Sequence, residues 1–145
     1  MADRRAEADW QGALTTGSGS VELRSSGTGT FPVTWASRVE SPDGRTSPEE
    51  LLAAAHAACY AMALSATLGR NDTPPERLRV ASTVTLSPKE GGGVEVTDSL
   101  LEVSGTVPGL DAADFQRLAE AGEQGCPISN ALRGNVRIAV TATLD

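Results

Sequence analysis

After Pro48 no glycine or proline interrupts the chain until Gly69. No other stretch sustains a helical pattern for so long, so the segment Ser47 to Gly69 constrains the fold most. Its start is well marked. Ser47 can cap, Pro48 suits the first helical position, and Glu50 completes a Ser-x-x-Glu capping box. Beyond Glu50 the segment has no acidic or basic side chain except His56. A helix apolar over most of its circumference is expected to be buried. Yet this one carries His56, the only histidine, and Cys59, one of two cysteines. Polar, reactive groups on a buried helix are costly unless partnered, which makes them the first candidates for chemistry.

At 145 residues the chain is expected to form a single domain, 1–145, able to build a core without staples. Aromatics are only 3%, so that core must come from Ala, Val, Leu and a few Ile, leaving little to stack on nucleobases. The net charge of −7 offers no basic footprint for nucleic acid and disfavours an anionic membrane surface. No run of about 18 residues is free of polar groups, so no membrane span is expected. The start, Met-Ala-Asp-Arg-Arg-Ala-Glu-Ala-Asp, is too polar for a signal peptide. A cytoplasmic protein is the expectation. There, two cysteines point to free, catalytic or redox-sensing thiols rather than a static staple.

Around the central helix the chain reads as strands and turns. Residues 7–12 form a short strand, Gly17 to Gly19 a turn, and Ser20-Val21-Glu22-Leu23-Arg24 a half-buried strand by its alternation. Ser25 to Thr30 is a loop, and Phe31 to Glu40 a third strand before the turn Ser41-Pro42-Asp43-Gly44. These segments predict an antiparallel N-terminal meander. After the helix, Leu78 to Leu86 and Val94 to Val107 alternate about the loop Lys89-Glu90-Gly91-Gly92-Gly93, as a hairpin would. Asp111 caps a helix carrying Phe115, Leu118, Ala119 and Gly122. Gly125-Cys126-Pro127 opens a short helix that Gly134 ends, and Val136 to Leu144 is a last strand. The class is α+β, with antiparallel sheets around a long buried helix.

An ordinary thiol has a pKa of about 8.5, so a reactive cysteine needs cationic or dipolar help. Cys126, as an N-cap before Pro127, would face unpaired backbone N–H groups and the positive helix end. Cys59 lies mid-helix and has no such help from its own helix. It needs a cation from elsewhere, and arginine suits because it does not deprotonate. Either cysteine can also be a small core hydrophobe. His56, three residues before Cys59, can be read as the partner of a Cys–His pair, as a ligand with the two thiols, or as a hydrogen-bonded core histidine. The last is the plainest reading. One His and two Cys make no set at usual zinc spacing, so no metal or cofactor is expected. Glu49 and Glu50 complement the helix dipole. The capping box accounts for Glu50 and leaves Glu49 free to hold an arginine. Arg38, Arg45 and Arg24 are the candidates. Arg38, in the apolar-flanked strand Val33 to Val39, is the hardest to explain as a merely solvated charge.

Pro48-Glu49-Glu50-Leu51, then Ala54-Ala55-His56-Ala57-Ala58-Cys59 and Met62-Ala63-Leu64-Ser65, resemble the first signature of the OsmC/Ohr family, the osmotically inducible and organic hydroperoxide resistance proteins. Gly125-Cys126-Pro127-Ile128-Ser129 resembles the second. The likeness extends to Trp10 and Gly12, Pro108-Gly109 and the final strand, and the histidine before Cys59 resembles the OsmC branch. The resemblance implies an α+β fold in an intertwined homodimer, with active sites at the subunit interface. It implies a thiol peroxidase for organic hydroperoxides, in which Cys59 attacks the peroxide and Cys126 resolves the sulfenic acid as a disulfide. Glu49 matches the acid that orients an arginine, and Arg38 is matched to that arginine. The implied reductant is a dithiol of lipoyl type. A rival of another class is a non-enzymatic redox sensor or stress-induced binding protein using the same two thiols.

Overall fold

A computed structural model describes residues 1–145. The chain forms two compact units, Met1–Leu51 and Leu52–Asp145.

The first unit holds β1 (Glu7–Gln11), β2 (Ser18–Glu22) and β3 (Thr30–Val33), an antiparallel sheet in sequence order, which is the expected meander. Gly19 is not in a turn. It lies within β2 opposite Trp10, and a Cβ there would stand 2.8 Å from the indole and 2.4 Å from the Asp9 carbonyl oxygen. Close approach, not turn geometry, calls for glycine at this position. The third strand is shorter than expected. After Val33 the chain turns into a helix, α1 (Trp35–Val39), so Arg38 stands on a helix and not on a strand. The cause is local. Thr34 Oγ1 accepts the Ser37 N–H at 3.0 Å, and Ser37 Oγ accepts the Thr34 N–H at 3.0 Å. This reciprocal cap outweighs the apparent alternation of Val33, Trp35 and Ser37.

The central helix is α2 (Pro48–Arg70). Ser47 Oγ accepts the Glu50 N–H at 3.2 Å, as the cap requires. The box is not closed, because the Glu50 carboxylate takes the Thr46 hydroxyl instead. Within the second unit the helix is buried along one stripe only: His56, Tyr60, Leu64 and Leu68, four residues apart. Ala54, Ala55, Ala58, Met62, Ser65 and Ala66 are exposed. By length and composition α2 is apolar enough to cross a membrane, against the sequence expectation. Its buried stripe, however, carries a polar histidine and packs into a protein core.

The rest of the second unit is a sheet of β4 (Arg77–Pro88), β5 (Val94–Thr106) and β6 (Arg137–Leu144), with α3 (Ala112–Gln124) and α4 (Pro127–Leu132) between β5 and β6. β4 and β5 make the expected hairpin. β6 runs parallel to β5, so this sheet is mixed and not purely antiparallel. The intervening helices supply the long connection that a parallel return requires. Asp111 caps α3 by accepting the Asp114 N–H at 2.8 Å. The core joins the α2 stripe to Leu101 and Val103 of β5 and to Phe115 and Leu118 of α3. Each fully buried leucine or phenylalanine there contributes about 1.5–3 kcal/mol relative to exposure. A Cβ on Gly122 would lie 3.1 Å from Leu64 Cα, so α3 meets α2 nearly backbone to backbone.

Candidate active site

The two cysteines, far apart in sequence, meet in the second unit. Cys59 is half-buried on α2, and Cys126 is fully buried at the N-cap of α4. Both are free thiols, and Cys126 lies close enough to Cys59 to raise its pKa. The local fold explains where Cys126 stands. Its N–H donates to Glu123 O at 3.1 Å, closing the end of α3, and its carbonyl accepts the Asn130 N–H at 3.0 Å, opening α4. Pro127 then takes the first helical position. Buried Glu123 braces the same corner by accepting from Arg133 Nη2 at 2.6 Å and Gln124 Nε2 at 2.8 Å.

The Cys126 side chain makes no capping hydrogen bond. The helix end acts on the other thiol: the Ile128 backbone N–H favours the charged form of the Cys59 sulfur. Cys59 thus receives dipolar help from α4 that its own helix does not offer. Burial nonetheless pushes the Cys59 thiol up. The Ile128 N–H pulls it down, and the hydrogen bond with Cys126 raises it again. No cation of residues 52–145 is among the groups acting on it. A thiol so placed still needs a positive charge to become a thiolate at neutral pH.

His56 is fully buried, and both ring nitrogens are engaged. Nδ1 lies 2.6 Å from Ser99 Oγ, and Nε2 lies 2.7 Å from Ser129 Oγ. Ser99 Oγ continues to Ser82 Oγ at 3.2 Å. Burial lowers the His56 pKa, and the Glu123 carboxylate partly opposes this. The ring is the hydrogen-bonded core histidine of the plainest reading, with no nitrogen left for a metal or a thiol. Sequence reasoning missed Ser82, Ser99 and Ile128. The available signal was a serine standing in the inward row of each strand, Ser82 beside Val80 and Ser99 beside Leu101.

In the first unit Arg38 and Glu49 are paired. Arg38 Nε and Nη2 donate to Glu49 Oε1 at 3.0 and 2.9 Å, and Nε reaches Oε2 at 3.3 Å. Glu49 is buried in the first turn of α2, where the helix dipole favours its charge. Arg38 Nη1 has no partner in the chain, and the guanidinium lies 5.9 Å from the centre of the Trp35 ring. Beside it opens a largely apolar cavity of about 330 Å³, lined by Trp10, Leu14, Val33, Trp35 and Pro48 together with Arg38. The other candidate arginines are spent elsewhere: Arg45 on Asp43, Arg24 on Glu7 and Glu22.

Comparison with known proteins gives the family and the fold. Residues 41–141 match the family described as OsmC-like protein. The chain is 34% identical over 135 residues to Peroxiredoxin OsmC of Escherichia coli, covering 93% of both chains. It is 37% identical over 98 residues to the organic hydroperoxide resistance protein of Xanthomonas axonopodis pv. citri, covering 66% of both. Among solved structures, it superposes on organic hydroperoxide resistance protein OsmC of Legionella pneumophila with a TM-score of 0.78 at 25% identity, over 99% of each chain. For OhrB of Bacillus subtilis the TM-score is 0.76 at 26% identity, over 96% of this chain and 98% of that one. With a family match that takes in both cysteine segments and a relative aligned along nearly its whole length, this chain belongs to the OsmC family.

Proposed function

We propose that this protein is a cysteine-based peroxidase that reduces organic hydroperoxides to alcohols in the cytoplasm, as part of a stress response. The observation that carries the proposal is the meeting of two free thiols, Cys59 and Cys126, at the N-terminus of α4. The names of the relatives, a peroxiredoxin and organic hydroperoxide resistance proteins, point the same way.

In the proposed cycle the Cys59 thiolate attacks the terminal oxygen of ROOH. The S–O bond forms as the O–O bond breaks, and the departing alkoxide takes a proton to leave as ROH. Cys59 is now a sulfenic acid. The Cys126 thiol condenses with it, forming the disulfide and releasing water. An external dithiol of lipoyl type returns both thiols by exchange and leaves as its own disulfide. Arg38, held by Glu49, supplies the positive charge that stabilises the Cys59 thiolate. The apolar cavity beside Arg38 suits an alkyl group better than hydrogen peroxide. The exposed apolar face of α2 supports the homodimer expected of the family.

The test is turnover of cumene hydroperoxide with dihydrolipoamide as reductant. Sustained turnover in the wild type, none in Cys59→Ser, and a single equivalent of peroxide consumed by Cys126→Ser support the enzyme. One oxidation per wild-type chain without turnover supports the redox sensor instead.

A further inference from the structure

We infer that His56 is a positioning residue: bridged between Ser99 and Ser129, it holds the first turn of α4 so that Cys126 stays where it can close on Cys59. The inference rests on the reading of these cysteines as the reacting pair. It assigns a task to a buried polar cluster that the peroxide chemistry does not use.

One turn of α2, His56 to Tyr60, faces the first turn of α4, Cys126 to Ser129. The Cys126 thiol and the Ile128 N–H both act on the Cys59 sulfur. Both change when that sulfur is oxidised. The bond of 2.7 Å between His56 Nε2 and Ser129 Oγ joins the same two turns and takes no part in the reaction. On its other side the ring is fixed to β5 by the bond of 2.6 Å to Ser99 Oγ. His56, Ser99 and Ser129 are all fully buried. A neutral imidazole donates from one nitrogen and accepts at the other, while a serine hydroxyl does either, so the strut is satisfied in both tautomers. An apolar core would be at least as stable here, so what the polar strut adds is a fixed geometry.

That geometry matters at one step. Disulfide closure needs the two Cα atoms within about 4.4–6.8 Å and a defined torsion, whereas peroxide attack at the half-buried Cys59 sulfur needs no bond to Cys126. Condensation joins the Cys59 sulfenic acid to the Cys126 thiol and expels water, so a displaced α4 slows closure directly, while attack loses only the Ile128 N–H that favours the thiolate.

The amide of glutamine reaches the position of His Nε2, and that of asparagine the position of Nδ1. His56→Gln therefore keeps the bond to Ser129, while His56→Asn and Ser129→Ala lose it. In single turnovers with cumene hydroperoxide, trapping the sulfenic acid with dimedone reads attack, and loss of two mass units reads closure. Attack is expected to stay within about twofold of wild type in all three variants, with closure about tenfold slower in His56→Asn and Ser129→Ala and restored in His56→Gln. Unchanged closure in Ser129→Ala, or attack and closure falling by one common factor, overturns the inference. Equilibration of the Cys59–Cys126 disulfide with glutathione, after oxidation by diamide, decides the matter without peroxide. An effective concentration lowered about tenfold in Ser129→Ala upholds the strut even if the wild type shows no peroxidase activity, and an unchanged value ends it.

Discussion

Arg38 places two of its nitrogens on a single oxygen of Glu49, at 3.0 and 2.9 Å, and leaves Nη1 without a partner. The carboxylate is buried and the arginine side chain is 31% exposed, so the pair fixes the guanidinium at the edge of the cavity that it lines. Arg38→Ala removes both the free donor edge and the partner of a buried charge. Peroxidase kcat/KM is expected to fall by about 100-fold, as when a preorganised charge is removed from a reacting centre. Stability should fall by about 2 kcal/mol, less than for a fully buried pair because the arginine is partly solvated. Glu49→Gln keeps the shape and loses the charge, and is expected to lower kcat/KM by about tenfold. Steady-state kinetics with cumene hydroperoxide measures both, and an Arg38→Ala enzyme of wild-type efficiency would remove this residue from the mechanism.

The thiol of Cys126 raises the pKa of Cys59, and so does burial. Cys126→Ala removes the first effect and slightly opens the second. The midpoint of Cys59 alkylation by iodoacetamide, followed against pH, is therefore expected to move down relative to wild type. An upward shift would mean that Cys126 stabilises the Cys59 thiolate.

His56 makes stability depend on pH. Its folded-state pKa is lowered from 6.5, chiefly by burial, with Glu123 opposing. Below about 6.5 the unfolded chain takes up a proton that the folded chain resists. The contribution is therefore present above that pH and lost as pH falls toward the folded-state value, at up to about 1.4 kcal/mol per pH unit. Urea unfolding of wild type and His56→Gln between pH 5 and 8 gives the comparison. The wild-type curve should be the steeper below about pH 6.5, and parallel curves would assign the acid sensitivity to other groups.

Much of this was legible in the sequence, and for identifiable reasons. The start of α2 follows from Ser47 and Pro48, and the α3 cap from Asp111, because these signals act within one turn, whereas α2 runs past Gly69 to Arg70. The two cysteine segments singled out Cys59 and Cys126 before any coordinates. What failed was of two kinds. A short cap, Thr34 with Ser37, overrode an alternating pattern and put Arg38 on a helix. The direction of β6 and the action of Ile128 on Cys59 depend on how distant segments pack, and no local pattern encodes them. The same holds for His56, whose two serines lie 43 and 73 positions away.

Gly122 tests the packing of α3 on α2. Alanine in a helix interior gains about 1 kcal/mol over glycine. Here its Cβ would stand 3.1 Å from Leu64 Cα and 3.3 Å from Leu64 Cβ, so a helix and not a side-chain tip would have to move. Overpacking of that kind costs about 1–3 kcal/mol, which outweighs the propensity gain. Gly122→Ala is expected to lower the urea midpoint without changing the slope, and Gly122→Val to lower it further. A stabilised Gly122→Ala would show that the two helices separate freely.

The outward face of α2 in the second unit is apolar without being covered. Met62 is 71% exposed, and Ala54, Ala55, Ala58 and Ala66 lie exposed along the same helix. Small residues there would let a second copy of the helix approach closely, and Met62 is pliant enough to fill what remains. In the proposed homodimer this face is part of the interface. Stable interfaces bury about 1,200–2,000 Å², and a charge placed inside one is left without a partner. Sedimentation of the wild type is expected to give about twice the chain mass of 14.9 kDa, and Met62→Arg to shift the mass toward that of one chain. Far-UV circular dichroism distinguishes dissociation from unfolding. A folded Met62→Arg protein that still sediments as a dimer would place the interface elsewhere on the molecule.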